Sequence, residues 1–467
     1  MSNITLTDKQ QEIFDDFIDR VHNAAGRSEC VLVGYAGTGK TTLVAEIVEN
    51  LCKGWNIAVT SPTHKANSVI RNMLVKNVGL SNDDAQVSTI HSFLGLKLVY
   101  EKSRQVLKHD PQSKNSTSMV DVLIVDECSM ISEELYQHIK DQMFRVRRAI
   151  IFVGDSCQLP PVEAEGTIGE AKLSPTFKAE TKYELTEVLR QALDNPIISI
   201  ATAIRECIGT KGDPLSILDT TYGLDTIIPI DDEDVFLEVY KQMICESTGL
   251  EHDEDGILRN DKGEVRSYRQ ESAKIFDFVQ ENKILAYTNF RVNLANIYMR
   301  STLFDDPNEL VKGEPIVFDV VTENCPYMNQ EVIKCPEVRK DQFMGIDCWQ
   351  LRLPNGNFLY AVGPESRIAM EAKLDELVKK IERKDYSEEF KRVHTWQDYY
   401  IIKNKICVVN YPYATTVHKS QGSTFDKIWF DTDFIERIRL NDTKCRIIYT
   451  AITRPREYVM FRKNGMF

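Results

Sequence analysis

The sequence lacks long hydrophobic runs. Over its 467 residues no apolar stretch approaches the ~18 residues needed to cross a bilayer. The first ten residues are polar and contain no basic segment followed by an apolar one, so they do not resemble a secretion signal. We therefore expect a cytoplasmic protein that does not associate with membranes.

Paired cysteines are also missing. The 11 cysteines are scattered, none forms a Cys-x-x-Cys pair, and an odd number leaves at least one of them unpaired within the chain. Reduced and mostly buried thiols are expected, and the cysteine pattern implies no structural metal.

Basic residues are fewer than acidic ones. The chain has 57 Lys and Arg against 70 Asp and Glu, a net charge of −13. Nucleic-acid-binding proteins usually carry a basic surface, so the net charge by itself argues against one. The objection is weaker for a motor that must release its track at every step, because a local groove suffices for it. Net charge concerns solubility and steering rather than the position of sites.

Short apolar strands that alternate with helical stretches dominate the first 185 residues. Each strand is a continuous apolar run followed by a polar or glycine-rich turn: Cys30–Val33, Ile57–Thr60, Val122–Val125 and Ala149–Val153. Such runs are typical of strands buried on both faces of a parallel sheet, whose ligands bind beyond the carboxyl ends of the strands. We predict an α/β nucleotide-binding domain over residues 1–185.

A phosphate-binding motif follows the first of these strands. The segment Gly34-Tyr-Ala-Gly-Thr-Gly-Lys-Thr41 matches GxxxxGK[ST] and opens a helix, which is the context that the motif requires. The alternative, a glycine-rich turn with an incidental lysine, does not explain why a strand precedes the segment and a helix follows it. Lys40 is expected to contact the β- and γ-phosphates of ATP and Thr41 to ligate Mg²⁺. The predicted nucleotide-binding residues of this segment are Gly34, Ala36, Gly37, Thr38, Gly39, Lys40, Thr41 and Thr42.

Two later strands end in candidate catalytic groups. Asp126 and Glu127 follow the third strand, where Asp126 is predicted to hold Mg²⁺ and Glu127 to activate the attacking water. Gln158 follows the fourth strand and is a candidate sensor of the γ-phosphate, with a proline-terminated turn as the alternative. Hydrolysis also needs charge neutralisation by arginine, for which Arg190 and Arg454 are the candidates.

Taken in order, these motifs resemble the superfamily 1 DNA helicases of the 5′-to-3′, RecD-type branch, and the resemblance covers nearly the whole chain. It implies that Gln10, in Leu6-Thr-Asp-Lys-Gln10, contacts the adenine base, and that Gln421 and Gly422 link DNA contact to the ATP site. Taken singly, each histidine of these motifs would be interpreted as structural. As a set inside matching motifs, the residues implied to contact DNA are Pro62, Thr63, His64, Thr89, His91, Asn289, Thr415, Thr416, His418 and Lys419.

The resemblance also implies a domain organisation: two RecA-like P-loop domains with two insertions. A basic β-hairpin at about 96–118 resembles the pin that splits the duplex, although Val106-Leu107-Lys108 offers only aliphatic residues for its wedge. Residues 186–314 and 401–467 are assigned to the second RecA-like domain. Residues 315–400 are assigned to a small SH3-like β-barrel with a helical extension, in which a charged helix is predicted from Ile368 to Lys391. Trp396 and Tyr400 are interpreted as packing residues.

The function implied is that of an ATP-dependent helicase. We expect a monomer that moves 5′ to 3′ on single-stranded DNA and unwinds forked duplex DNA in phage replication or recombination, inside the bacterial host, with a single-strand-binding protein nearby. The alternatives are an RNA helicase or a translocase that does not unwind, and, from another class, a nucleotide-gated clamp or switch. The presence of all the residue types that ATP hydrolysis needs argues against a switch. A kinase that merely shares the P-loop would not explain the second α/β half of the chain.

Overall fold

The computed structural model describes the greater part of the chain. The described residues are 5–23, 26–75, 79, 85–101, 104–109, 119–161, 172–188, 196–220, 227–230, 232–252, 258–260, 262–264, 267, 271–304, 309–322, 325–382, 389–435 and 437–462.

The secondary structure alternates in the first part of the chain and becomes β-rich near residue 315. The α-helices are α1 (Asp8–Asn23), α2 (Lys40–Leu51), α3 (His64–Met73), α4 (Ile90–Leu94), α5 (Glu133–Asp141), α6 (Pro196–Glu206), α7 (Pro214–Thr220), α8 (Glu233–Thr248), α9 (Ser272–Glu281), α10 (Asn289–Leu303), α11 (Pro364–Glu382), α12 (Glu389–Lys405) and α13 (Asn441–Ile452).

The strands are β1 (Ser28–Gly34), β2 (Ile57–Ser61), β3 (Gln86–Thr89), β4 (Leu96–Glu101), β5 (Arg104–His109), β6 (Val120–Val125), β7 (Val146–Gly154), β8 (Thr181–Leu185), β9 (Ile227–Ile230), β10 (Leu250–His252), β11 (Leu258–Asn260), β12 (Asn282–Ala286), β13 (Pro315–Val320), β14 (Val332–Lys334), β15 (Glu337–Phe343), β16 (Ile346–Arg352), β17 (Phe358–Val362), β18 (Ile406–Asn410), β19 (Ala414–Thr416), β20 (Phe425–Asp431) and β21 (Pro455–Arg462).

The chain divides into two compact units. The first contains Met1–Pro229, Val417–Thr424 and Phe434–Val459, and the second contains Ile230–Thr416, Phe425–Asp433 and Met460–Phe467. The first unit therefore extends beyond the predicted boundary at 185 and includes two C-terminal segments that the sequence division assigned to the second domain.

The first unit is built on a parallel sheet in the order β3-β2-β6-β7-β1-β8. Alternate residues of its strands point to opposite faces, so that Cys30 and Leu32 enter one apolar cluster while Val31 and Val33 enter another. Because both faces are covered, the central strands are apolar along 30–33, 122–125 and 149–153. The α/β prediction and its four strands are confirmed.

The predicted basic hairpin is present as the antiparallel pair β4 and β5, from Leu96 opposite His109 to Glu101 opposite Arg104. Residues 102–103 and 110–118 of the predicted insertion are outside the described residues. Val106, Leu107 and Lys108 lie inside β5 opposite β4, which corrects their interpretation as the tip of the hairpin.

In its described residues the second unit carries two large sheets and one two-stranded sheet. One has the order β19-β12-β20-β21-β9, in which β12 pairs in parallel with both β19 and β20. Strands β10 and β11 form a separate short antiparallel pair, with Leu250 opposite Asn260.

The other large sheet has the order β14-β13-β18-β17-β16-β15 and lies mainly in the region assigned to an SH3-like β-barrel. The barrel itself stays a prediction. Helices α11 and α12 pack over it through Met370, Leu377 and Ile402, which join Ile346 and Val408 in one buried cluster. The sequence boundary at 401 placed β18 in the second RecA-like domain, but β18 pairs with β13 and β17. The predicted helix from Ile368 to Lys391 begins earlier, at Pro364, and ends at Glu382.

No helix among the described residues is long and apolar enough to cross a membrane.

Candidate active site

The glycines of the phosphate-binding motif are required by backbone geometry. Gly37 and Gly39 have φ of 79° and 77°, in the left-handed region that favours glycine. A Cβ at Gly34 would lie 2.7 Å from Thr38 Oγ1. The loop therefore closes tightly between the end of β1 and the first residue of α2, and the amino end of that helix opens onto it.

Lys40 folds back over this loop. Its Nζ donates to the carbonyl oxygens of Gly34 at 2.7 Å and Tyr35 at 2.9 Å. Thr38 is buried and donates through Oγ1 to the Tyr35 carbonyl, while Thr41 is exposed at the start of the helix. The loop thus presents one ammonium group and one accessible hydroxyl beside a helix amino end, an arrangement suited to binding an anion.

Gln10 lies against the loop from the side of α1. Its Nε2 donates to the Thr38 carbonyl at 3.2 Å, and its Oε1 accepts from the Thr7 amide at 2.9 Å. The side chain is 2% exposed. The structure therefore places Gln10 at the loop, where these contacts are with protein atoms. Its contact with an adenine base stays a prediction.

Asp126 and Glu127 follow β6 as predicted. Burial, and secondly the neighbouring charge of Glu127, raise the pKa of the Asp126 carboxyl to about 7, while the Lys40 charge acts in the opposite direction. Glu127 adopts a left-handed backbone with φ of 51°, and its amide donates to Asp126 Oδ1 at 2.9 Å. A glutamate held in this conformation next to a buried aspartate is typical of a functional turn, since the strain needs compensation elsewhere.

Gln158 closes the turn that follows β7. Its amide donates to the Asp155 carbonyl at 3.2 Å, and the side chain is 7% exposed. Within the described part of the chain its Oε1 is buried and has no hydrogen-bond partner. Such an atom in a folded protein calls for an explanation, and contact with a ligand is one.

Of the two candidate arginines, Arg190 is outside the described residues. Arg454 belongs to the same compact unit as the phosphate-binding loop and is 6% exposed. It donates through Nε to the Thr450 carbonyl at 3.0 Å and through Nη1 to the Ser423 carbonyl at 3.4 Å. Its guanidinium group is thus held in place by backbone acceptors.

Sequence reasoning missed the residues that join α13 to the rest of the site. Arg446 donates to the carbonyls of Ser156 and Gln158, and the Leu159 amide donates to Thr450 Oγ1 at 3.1 Å. The signal in the sequence was a pair of polar residues, Arg446 and Thr450, one helical turn apart in the buried and mostly apolar part of the helix from 445 to 452.

Tyr449, on the same helix, was also missed. Its hydroxyl donates to Asp155 Oδ2 at 2.6 Å and accepts from the Ala36 amide of the phosphate-binding loop at 3.3 Å. A further basic group close to this loop is Arg205 of α6, whose guanidinium carbon lies 3.7 Å from the ring centroid of Tyr35.

In the first unit the candidate DNA contacts gather at one edge of the sheet. Strands β2 and β3 are adjacent, with Ser61 opposite Thr89, so that Pro62, Thr63 and His64 lie near Thr89 and His91.

The hydroxyls at this edge have structural roles. Thr63 caps α3 by accepting from the Ala66 amide at 3.2 Å, and Thr89 caps α4 by accepting from the Ser92 amide at 3.1 Å. Burial, followed by the charges of His64 and His138, lowers the pKa of His91 to about 4. His91 is therefore a neutral imidazole near pH 7.

The segment 417–424 lies in the same unit. Gln421 donates through Nε2 to the Leu159 carbonyl at 3.1 Å. Gly422 has φ of 69°, and a Cβ there would lie 2.9 Å from the Ala66 Cβ at the start of α3. Burial lowers the pKa of His418, while Lys419 is exposed. This segment therefore contacts both the turn that carries Gln158 and the α3 edge.

In the second unit, three candidate contacts follow or form neighbouring strands. Asn289 is exposed in the first turn of α10, just after β12. Thr415 and Thr416 lie in β19, and Thr416 is opposite Ala286 of β12. The hypothesis of DNA contact at these three residues stays a prediction.

Comparison with known proteins points to helicases. Residues 5–218 match the family model described as "AAA domain", and residues 411–461 match that of the "UvrD-like helicase C-terminal domain". The ATP-dependent DNA helicase Dda of Enterobacteria phage T4 is 25% identical over 98% of this chain and 99% of its own length.

Two further similarities are more limited. The RecD subunit of the RecBCD enzyme of Buchnera aphidicola is 30% identical over 36% of this chain and 28% of that protein. Among solved structures, the Pif1 helicase from Candida albicans aligns with a TM-score of 0.48 and 16% identity, covering 99% of this chain and 95% of that one.

Proposed function

Since the chain is a homologue of the Dda DNA helicase along its whole length, we propose that it is an ATP-dependent DNA helicase. It moves 5′ to 3′ on single-stranded DNA and unwinds forked duplex DNA. The observation that carries the proposal is that Lys40, Asp126 and Arg454 belong to one compact unit, in which α13 is bonded to the phosphate-binding loop through Tyr449.

The roles of the residues follow from their positions. The loop amides and Lys40 bind the β- and γ-phosphates of ATP, Glu127 orients the attacking water, and Gln158 donates from its side-chain nitrogen to the γ-phosphate. Arg454 neutralises charge that develops on the transferred phosphoryl group. An arginine in this role accelerates hydrolysis by a factor of about 10³–10⁵.

Thr41 and Asp126 are the residues that would hold Mg²⁺. The donor set fits, because Mg²⁺ prefers oxygen ligands and takes only one or two from protein when phosphates and waters supply the rest. The raised pKa of Asp126 also fits, because a buried carboxylate beside a second acid is stabilised by a cation. Across the described residues no three His, Cys, Asp or Glu side chains cluster as metal ligands. When bound, Mg²⁺ neutralises phosphate charge.

The DNA contacts proposed are with the sugar-phosphate backbone. The set of hydroxyls, imidazoles and one exposed lysine suits phosphate and sugar, and a motor that steps along any sequence needs no base readout. We also propose a monomeric state and cooperation with a single-strand-binding protein.

Unwinding of forked substrates with one tail at a time tests the function. We expect a fork with only a 5′ tail to be unwound in the presence of ATP and Mg²⁺, and a fork with only a 3′ tail to remain annealed. DNA-stimulated ATPase activity without unwinding would indicate a translocase. Equal or stronger stimulation by RNA would indicate an RNA helicase, and negligible ATPase activity with saturating DNA would indicate a clamp or switch.

A further inference from the structure

Helix α13 lies across the turn 155–159 and is bonded to it along its length. Arg446 donates to two carbonyls of the turn, and Thr450 accepts from the Leu159 amide. Between them, Tyr449 donates to Asp155 Oδ2 at 2.6 Å. Tyr449 alone among these three side chains also reaches the phosphate-binding loop, where it accepts from the Ala36 amide at 3.3 Å.

The contact between Tyr449 and Asp155 is closed to solvent, because Tyr449 is 1% exposed and Asp155 is 0% exposed. The contact with the Ala36 amide is half-buried. Burial, and secondly the charge of Asp155, raise the pKa of Tyr449 well above its usual value. The hydroxyl therefore keeps its proton at any working pH and remains the donor to Asp155.

The two partners of this hydroxyl belong to the two segments that face the phosphates. Ala36 lies within the loop whose amides hold them, and Asp155 begins the turn that ends in Gln158. One oxygen atom thus bridges the loop and the turn. Small errors in such a separation are costly in catalysis, because the reacting groups must be aligned before the reaction.

We propose that Tyr449 is a positioning residue for ATP hydrolysis, whose hydroxyl holds the phosphate-binding loop at Ala36 and the Gln158 turn at Asp155 in the reactive arrangement. This inference rests on the proposed function and deepens it. Tyr449 acts through its neighbours and does not itself contact the nucleotide.

Steady-state ATPase assays with oligo(dT) and Mg²⁺ at varied ATP concentration, paired with urea unfolding, test the inference. The variants are Tyr449→Phe, Asp155→Asn and the double substitution. The matched control is Tyr240→Phe, which removes another buried hydroxyl, one that donates to the Asn282 carbonyl at 3.2 Å in the second unit. Phenylalanine keeps the ring packing in both tyrosine variants.

We expect Tyr449→Phe to lower kcat about tenfold, the effect of about one well-formed hydrogen bond. KM for ATP should change less than about threefold, because Lys40 and the helix amino end still bind the phosphates. Because the two residues act as one unit, the double variant should be no more than about threefold slower than the slower single variant. Tyr240→Phe should keep the kcat of the unsubstituted protein.

Other outcomes overturn the inference. An unchanged kcat for Tyr449→Phe with a lowered urea midpoint would mean that the hydroxyl only stabilises the fold. If the reductions of kcat by the two single substitutions multiplied in the double variant, Tyr449 and Asp155 would act independently. If Tyr449→Phe does not fold, the test rests on Asp155→Asn. The inference requires this variant to have a lower kcat, and an unchanged kcat would overturn it. Absence of ATPase activity in the unsubstituted protein is a different result, because it removes the proposed function itself.

Discussion

Lys40 shows how much of the site depends on one residue. Its ammonium group is held over the loop by two carbonyls and lies close enough to Asp126 to influence the pKa of that carboxyl. The same group that compensates the buried acid is the one expected to meet the phosphates, so its loss affects both.

We expect Lys40→Ala to lower ATP hydrolysis by at least about a hundredfold, the scale for loss of one group that stabilises developing charge. The fold should persist, because Lys40 is partly exposed and outside the apolar core. Lys9→Ala, which removes an exposed lysine paired with Glu12, is the control in the same ATPase assay. An active Lys40→Ala protein would refute the assigned site.

A buried ion pair in the second unit offers a stability test. Arg300 and Glu314 are both 0% exposed, with Nε and Oε2 2.9 Å apart. Glu314→Gln leaves a buried guanidinium without its counter-charge, so the free energy of unfolding in urea should fall by about 3–5 kcal/mol.

Glu337→Gln is the control for that measurement. Glu337 pairs with Lys312 and Arg352 on the surface, where an ion pair contributes little, so no measurable change is expected. Equal losses in the two variants would mean that the buried pair contributes no more than an exposed one.

Single residues differ in how readily the sequence reveals them. Lys40 and Asp126 stand in short motifs with their flanking strands, so their places were predictable from local sequence. Tyr449 was not, because Ala36 and Asp155 are distant in sequence and their contact arises only when the chain folds. Arg454 was predicted to belong with the second domain, whereas it belongs to the compact unit of the loop.

At the scale of elements, the strands of the first sheet were predictable because both of their faces are buried. The sheet to which β18 belongs was not predictable. An apolar run such as Ile406–Val409 fits the centre of either large sheet in the second unit, and only strand pairing decides between them. The sequence predicted one helix over parts of both α11 and α12, because charged residues continue from one to the other without a proline or glycine between them.

Gly422 gives a test of how the segment 417–424 meets α3. Gly422→Ala combines a strained left-handed backbone with a Cβ only 2.9 Å from the Ala66 Cβ. We expect DNA-stimulated ATPase activity to fall about tenfold, because relief of the clash displaces Gln421 from Leu159.

The matched control is Gly345→Ala, whose φ of 77° is equally strained but whose Cβ would meet nothing within 4 Å. Both variants should lose about 1–2 kcal/mol of stability from backbone strain. Only Gly422→Ala should also lose stimulation by DNA. Equal stimulation in the two would show that the close approach to α3 has no role in coupling.

For the whole molecule, a net charge of −13 means that attraction to DNA must be local. We expect the affinity for oligo(dT) to fall as the salt concentration rises. A plot of the logarithm of the association constant against the logarithm of the salt concentration should have a slope of about −0.7 for each phosphate contact that is neutralised. Lys419→Ala should make that slope less negative by about 0.7, and Lys419→Arg should keep it. An affinity that does not change with salt would exclude an electrostatic track.

The register of β13 and β18 has a consequence for how this molecule can be rebuilt. Val317 is directly opposite Asn410, so the chain leaves for the inserted sheet and returns from it at neighbouring points. Ends that close together can be joined by a short turn. The ninety or so residues between them therefore form one insertion, which a short turn could replace without moving its two ends apart.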